Sequence, residues 1–225
     1  IDQAAISFPL DMVNGYEPGK ASVDEMAGRF WRMGQKERLK TPGLDPDRAD
    51  IIQSGALAYA ALLQHSGFQR LTISQQGLRE GIFYQRFLAG QEQPVFDNLR
   101  QFSPLNLARK FDYDNVHSRH VTTLSLQLFD QLQPAHRLDA SYRELLWAAG
   151  MLHDIGVRVD FYYPHHHSAY IIQNSGLPGY SPRELALIAL LAQYHRKGSP
   201  KAGELATLFG DEDHRALPLL AGMLR

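Results

Sequence analysis

The stretch Trp147-Ala-Ala-Gly-Met-Leu-His153-Asp154-Ile-Gly156 decides how the rest of the chain is read. Leu145, Leu146, Ala149 and Leu152 recur at helical spacing, which predicts a buried helix over 140–154. An imidazole and a carboxylate sit side by side at its end. Buried charged groups are costly unless they are paired or bound to a metal. Adjacent helical residues point about 100° apart, so His153 and Asp154 converge only on something beyond the helix end. Further histidines stand at His117 and His120 upstream, and at His165, His166, His167 and His195 downstream. Any one of them alone would be an ordinary core or surface histidine. Together they predict a divalent metal site built on nitrogen and oxygen ligands.

The candidate ligands are His117, His153, Asp154, His167 and His195. His117 lies one turn before Val121 and Leu124, and the spacing places its face inward together with Leu128 and Leu132. His167 is chosen from the triplet because Ser168-Ala-Tyr-Ile-Ile continues from it as a helix. His120, His165 and His166 read as bystanders. Mixed imidazole and carboxylate ligands suit Mn, Fe, Zn or Ni, and Mg where water fills the shell; Mg or Mn is expected here. Arg119, Arg158, Arg196 and Lys197 are candidates to meet phosphate oxygens, because guanidinium offers a bidentate fork.

The composition sets limits on function. A chain of 225 residues, 44% hydrophobic, holds about one to two domains. With a net charge of −1 and a pI near 6.9, no global field attracts nucleic acid or a membrane surface. The absence of cysteine excludes disulfides, thiolate metal sites and cysteine nucleophiles. No apolar run reaches the ~18–20 residues of a transmembrane helix, and no basic-apolar leader opens the chain. A cytoplasmic protein is the expectation. The start at Ile1 and the apolar helical pattern at Leu219–Arg225 read as the ends of a portion of a longer chain.

Residues 1–88 read as mixed α/β. Ser22 and Glu25 fit a capping box that opens a helix to about Leu39. Thr41-Pro42-Gly43 is a break. Asp47 is placed to cap a second helix running to about His65, with Gly67 ending it. Arg70–Ser74 reads as a short β-branched strand, and Gly77–Gly81 as a turn into a helix over 82–88. One or two strands make no independent sheet, so the remaining strands are expected earlier in the chain or in a partner. Ala89-Gly-Gln-Glu-Gln-Pro94 is a linker, which divides the chain into 1–90 and 91–225. Beyond it the pattern is all helical, over 95–101, 103–111, 113–132, 140–154, 166–174, 181–195 and 211–224. Ser181-Pro182-Arg-Glu184 is the strongest start signal among them.

With these motifs in view, residues 113–200 resemble the C-terminal HD-like helical domain of the Ppx/GppA phosphatases. The matching text is Trp147–Gly156, His167-Ser-Ala-Tyr-Ile-Ile-Gln-Asn-Ser175 with Leu177-Pro-Gly179, and Leu191-Ala-Gln-Tyr-His195-Arg-Lys197. Asp47–Leu57 and Ile73–Gly81 are similar to the end of that family's second actin-like lobe. The resemblance implies an α+β protein: a partial actin-like (ribonuclease H-like) α/β lobe followed by an all-α HD-like domain. It implies release of terminal phosphate from polyphosphate or pppGpp, in a cleft between two lobes, by a homodimer that binds neither nucleic acid nor membrane. No phosphate loop and no catalytic glutamate of that kind can be matched here, so catalytic residues stay unassigned. Glu80 reads as a capping or structural acid. In the wider HD superfamily the five candidate ligands match metal positions, while the distal aspartate is not matched. Asp211 and Asp213 lie in an acidic stretch that reads as a loop. Two alternatives stay open: an autonomous HD metal-dependent phosphohydrolase, and a non-catalytic helical module for dimerisation or polyphosphate binding.

Overall fold

The computed structural model of the protein describes residues 14–74, 76–90 and 96–225. It is mostly helical. Among the described residues, 15–74 form one compact unit and 76–225 belong to a second.

The first unit contains α1 (Lys20–Arg32), α2 (Gln35–Arg38), a 3-10 turn at Pro46–Arg48 and α3 (Ile52–Ser66). Helix α1 packs on α3, with Ala27, Phe30 and Leu63 buried. The strand expected over 70–74 is extended chain, but no regular strand forms among the described residues. Its backbone bonds antiparallel to 15–20, with Leu71 N–H donating to Pro18 O at 3.2 Å and Ile73 N–H to Tyr16 O at 2.9 Å. Proline has no N–H to return the Leu71 bond. One bridge, Gly19–Arg70, therefore stands where a ladder was expected.

That pairing also moves the first helix. The chain is extended up to Gly19, so α1 starts at Lys20 and Ser22 falls inside its first turn instead of capping it. The helix ends at Arg32, not Leu39, because Gly34 breaks it and opens α2, its N–H held by Glu37 Oε2 at 2.9 Å. Asp45 rather than Asp47 caps the next turn, and α3 begins only at Ile52. Gly67 closes α3 in the left-handed conformation, φ +74°, as its position predicted.

The second unit opens with α4 (Leu78–Phe87), which starts four residues earlier than read because Glu80 Oε2 accepts the Gly77 N–H at 2.8 Å. The linker expected at 89–94 falls mostly on residues 91–95, outside the described residues. Then come α5 (Leu99–Lys110), α6 (Asn115–His136), α7 (Ala140–Leu152), a 3-10 turn at Ile155–Arg158, α8 (Pro164–Ser175), α9 (Pro182–Tyr194), a 3-10 turn at Gly203–Leu208 and α10 (Asp211–Leu224). The stretch after Gly210 is thus helix, not loop.

Helix α5 runs as one through Pro104, where two helices were expected. A proline inside a helix leaves the carbonyl four residues back without its donor. Here that carbonyl belongs to Arg100, and the Tyr180 hydroxyl donates to it at 2.8 Å. The Arg100 side chain fixes the same corner: it donates to Glu144 and Glu184 at 2.9 and 2.8 Å and stacks over the Tyr180 ring.

Helix α9 is the centre of this unit. Ser181 and Glu184 form its capping box, the Ser181 N–H donating to Glu184 Oε2 at 2.8 Å. Leu185, Leu187, Ile188, Leu190 and Leu191 are all buried against α7, α8 and α10. A helix apolar on every side belongs inside, and each fully buried leucine adds about 1.5–3 kcal/mol.

Helix α6 corrects the expected inward face. Leu124, Leu128 and Leu132 are exposed, while Ser118, Thr122, Ser125 and Phe129 are buried. The cause is a close crossing with α7: a Cβ at Gly150 would lie 2.5 Å from Thr122 Oγ1. Only small side chains fit there. Their hydroxyls are satisfied within the helix, Thr122 donating to Ser118 O at 2.6 Å and Ser125 to Val121 O at 2.8 Å.

Candidate metal centre

Helix α7 ends at Leu152, so His153 and Asp154 have left it. His153 keeps helical angles, and Asp154 turns to φ −112°, ψ 9°. That change of direction lets two adjacent residues face one point. The turn is possible because residue 156 is glycine: a Cβ there would lie 2.1 Å from Pro164 O and 2.4 Å from Ser168 N. The first turn of α8 sits directly on it, and the Gly156 N–H donates to Ser168 Oγ at 2.9 Å.

Helix α6 brings His117 to the same point, anchored by Asp114, which accepts the His117 N–H at 2.9 Å. His117 Nε2 lies 3.2 Å from His153 Nε2 and 3.5 Å from Asp154 Oδ2; His153 Nε2 lies 3.4 Å from that oxygen. The end of α9 brings His195, whose Nε2 is 3.5 Å from the other oxygen, Oδ1. Ligand atoms held about 2.1 Å from one ion are separated by about 3.0–3.4 Å in octahedral or tetrahedral shells. The spacing of His117, His153 and Asp154 is of this size.

The tautomers fit as well. His153 Nδ1 faces Gly150 O and His195 Nδ1 faces Ala192 O, both at 2.7 Å. A carbonyl only accepts, so each Nδ1 carries a proton and each Nε2 is left facing Asp154. Metal-ligating histidines commonly donate their other N–H in this way. Burial alone would raise the Asp154 pKa, but His153, His195 and His117 beside it hold it at about 2. Burial pushes His195 down to about 4, so it is neutral at pH 7. An ionised carboxylate beside imidazole nitrogens is a donor set that fits a divalent cation.

The remaining candidates divide. His167 is half-buried against Gly156 and is not among the three residues whose ligand atoms cluster, His117, His153 and Asp154. Arg158 is committed to Asp112, and Arg119 to Asn115 on its own helix. Arg196 and Lys197 are exposed beside His195, and neither makes a hydrogen bond or ion pair among the described residues. His120 and His166 are exposed. Asp213 is no ligand: it is buried against Arg183 and the Tyr142 hydroxyl.

Sequence reasoning missed His165. Helix α8 begins at Pro164, two residues earlier than expected, which puts His165 in its first turn. His165 is buried and, with Asp154 and His195, lines a cavity of about 650 Å3 next to the cluster. The available signal was Pro164, which favours the first helical position.

Two family models match this chain. One, Ppx/GppA phosphatase, domain III, covers residues 99–225, and one, Ppx/GppA phosphatase family, covers residues 4–89. The first match contains every residue of the cluster and of the cavity.

Proposed function

The chain belongs to the Ppx/GppA phosphatase family, and on that premise we propose that it is part of a phosphohydrolase that releases terminal phosphate from polyphosphate or pppGpp. Its helical unit is read as an HD-type centre for a divalent ion, Mg or Mn, and residues 15–74 as part of an actin-like lobe. The observation that carries the reading is the convergence of His117, His153 and Asp154 within a match to the family's domain III.

His117, His153 and Asp154 would hold the ion, with His195 against the second Asp154 oxygen. Such an ion, when bound, neutralises phosphate charge and lowers the pKa of water. The chain's own part is to orient and to exclude. The Gly150 and Ala192 carbonyls fix the rings of His153 and His195. Burial keeps His195 unprotonated as a proton acceptor. Arg196 and Lys197 stand free to take phosphate oxygens.

A second reading, an autonomous metal phosphohydrolase, is favoured by the cluster being assembled wholly from the helical unit. The test is elemental analysis of the purified chain and of His153→Ala after loading with Mn2+, together with phosphate release from polyphosphate and pppGpp. About one ion per chain, lost in the variant, is expected. No ion in either protein would overturn the metal centre. Phosphate release that persists without metal would place the chemistry elsewhere.

A further inference from the structure

The cavity beside the cluster carries features that a bare phosphate chain does not require. One wall is three consecutive aromatic residues, Phe161, Tyr162 and Tyr163, each between 63% and 79% exposed. Rings so exposed gain little from folding, and neither phenol hydroxyl makes a hydrogen bond among the described residues. A contiguous apolar patch of this kind marks a binding surface more often than a structural one. Tyr163 is also held in the left-handed region, φ 59°, ψ 41°. For a residue with a Cβ that conformation costs about 1–2 kcal/mol, and such strain collects at ligand sites.

The same cavity has a basic lip, the unpaired cations Arg196 and Lys197. His165 also lines it, only 5% exposed, and its Nδ1 has no hydrogen-bond partner among the described residues. Buried polar atoms are nearly always satisfied, so an orphan nitrogen lining a cavity points to a ligand atom that completes it. Rings, cations and an orphan imidazole thus surround one space.

We propose that this cavity takes a nucleoside polyphosphate, its base stacked on Phe161, Tyr162 and Tyr163 and its phosphates against Arg196, Lys197 and the histidine–aspartate cluster. The phosphate end rests on the metal reading above; the ring end does not. The basic lip alone would hold inorganic polyphosphate equally well, and the aromatic wall distinguishes the two. Base–ring stacking is tolerant of sequence because every base has a flat face, so purine identity is left open.

The test is binding of ATP, GTP and inorganic tripolyphosphate to the whole chain by calorimetry, in saturating Mn2+ and again in EDTA. Both nucleotides are expected to bind about tenfold tighter than tripolyphosphate in Mn2+. Tyr162→Ala should remove most of that difference and leave tripolyphosphate unchanged. Arg196→Gln should weaken all three. Tyr163→Gly relieves the backbone and removes a ring, so it should weaken nucleotide binding while the melting temperature holds or rises, which separates lost binding from lost fold. Tripolyphosphate binding as tightly as the nucleotides, indifference to Tyr162→Ala and Tyr163→Gly, or no nucleotide binding at all would each overturn the proposal. Nucleotide binding by a chain that elemental analysis finds without Mn2+ after loading would support the aromatic site and sink the metal centre instead.

Discussion

At the scale of single residues, the glycine of His153-Asp154-Ile-Gly156 matters as much as the two polar groups. No side chain fits between the turn and the first turn of α8. Even a methyl group must push backbone against backbone, which cannot be absorbed by a rotamer change. Gly156→Ala is expected to destabilise the chain by about 3 kcal/mol or more, read as a lower melting temperature, and to lower Mn2+ affinity with it. An unchanged melt would show that α8 does not rest on this turn. His153, His195 and Asp154 were legible in the sequence because an apolar helix ending in charge is a visible contradiction. His165 was not, because its importance depends on where α8 starts, and one proline shifts that start by two residues.

At the scale of elements, α6 shows how hydrophobic periodicity can point the wrong way. Leucines at helical spacing ordinarily mark the core face. Here the crossing with α7 is too close for leucine, and self-satisfied hydroxyls replace it. Leu128→Lys is therefore expected to change stability by no more than about 0.5 kcal/mol. Ser125→Leu should cost about 1–3 kcal/mol through overpacking, and thermal melts of the pair give the comparison. If Leu128→Lys is the more damaging, the buried face is misplaced. The Arg100 corner joining α5, α7 and α9 makes another case. Arg100→Lys keeps the charge but loses the planar fork and the stacking on Tyr180. A loss of about 2 kcal/mol is expected, measured by urea unfolding.

At the scale of the whole molecule, stability should depend on acid through Asp213. Burial opposes ionisation there, but Arg183, the Tyr142 hydroxyl and the Gly210 N–H hold its pKa below the ordinary 3.8. The unfolded chain then binds the proton more readily than the folded one. This contribution is present in full above the unfolded value and is lost as pH falls from about 4 toward the lower folded value. Asp213→Asn should be less stable at neutral pH and should show a flatter acid limb below about pH 4. An acid limb as steep as in the parent chain would move the effect to other carboxylates. Most helices of the second unit were legible in advance, since a cap such as Ser181 is local chemistry. The first unit was read less well: its extended pair joins 15–20 to 69–73 across some fifty residues, and short-range pattern says nothing of partners so distant.

Pro104 and Tyr180 have a shared history written into them. The Arg100 carbonyl needs the phenol only because the helix has no N–H to offer it. With alanine at 104 that carbonyl regains its own donor, and Tyr180→Phe should become nearly free. In the present chain the same change strands an acceptor, at a cost of about 1–3 kcal/mol. The two substitutions are therefore tolerated in one order only: the proline must go first, the hydroxyl second, and among related chains proline at 104 with phenylalanine at 180 is the combination that descent should avoid.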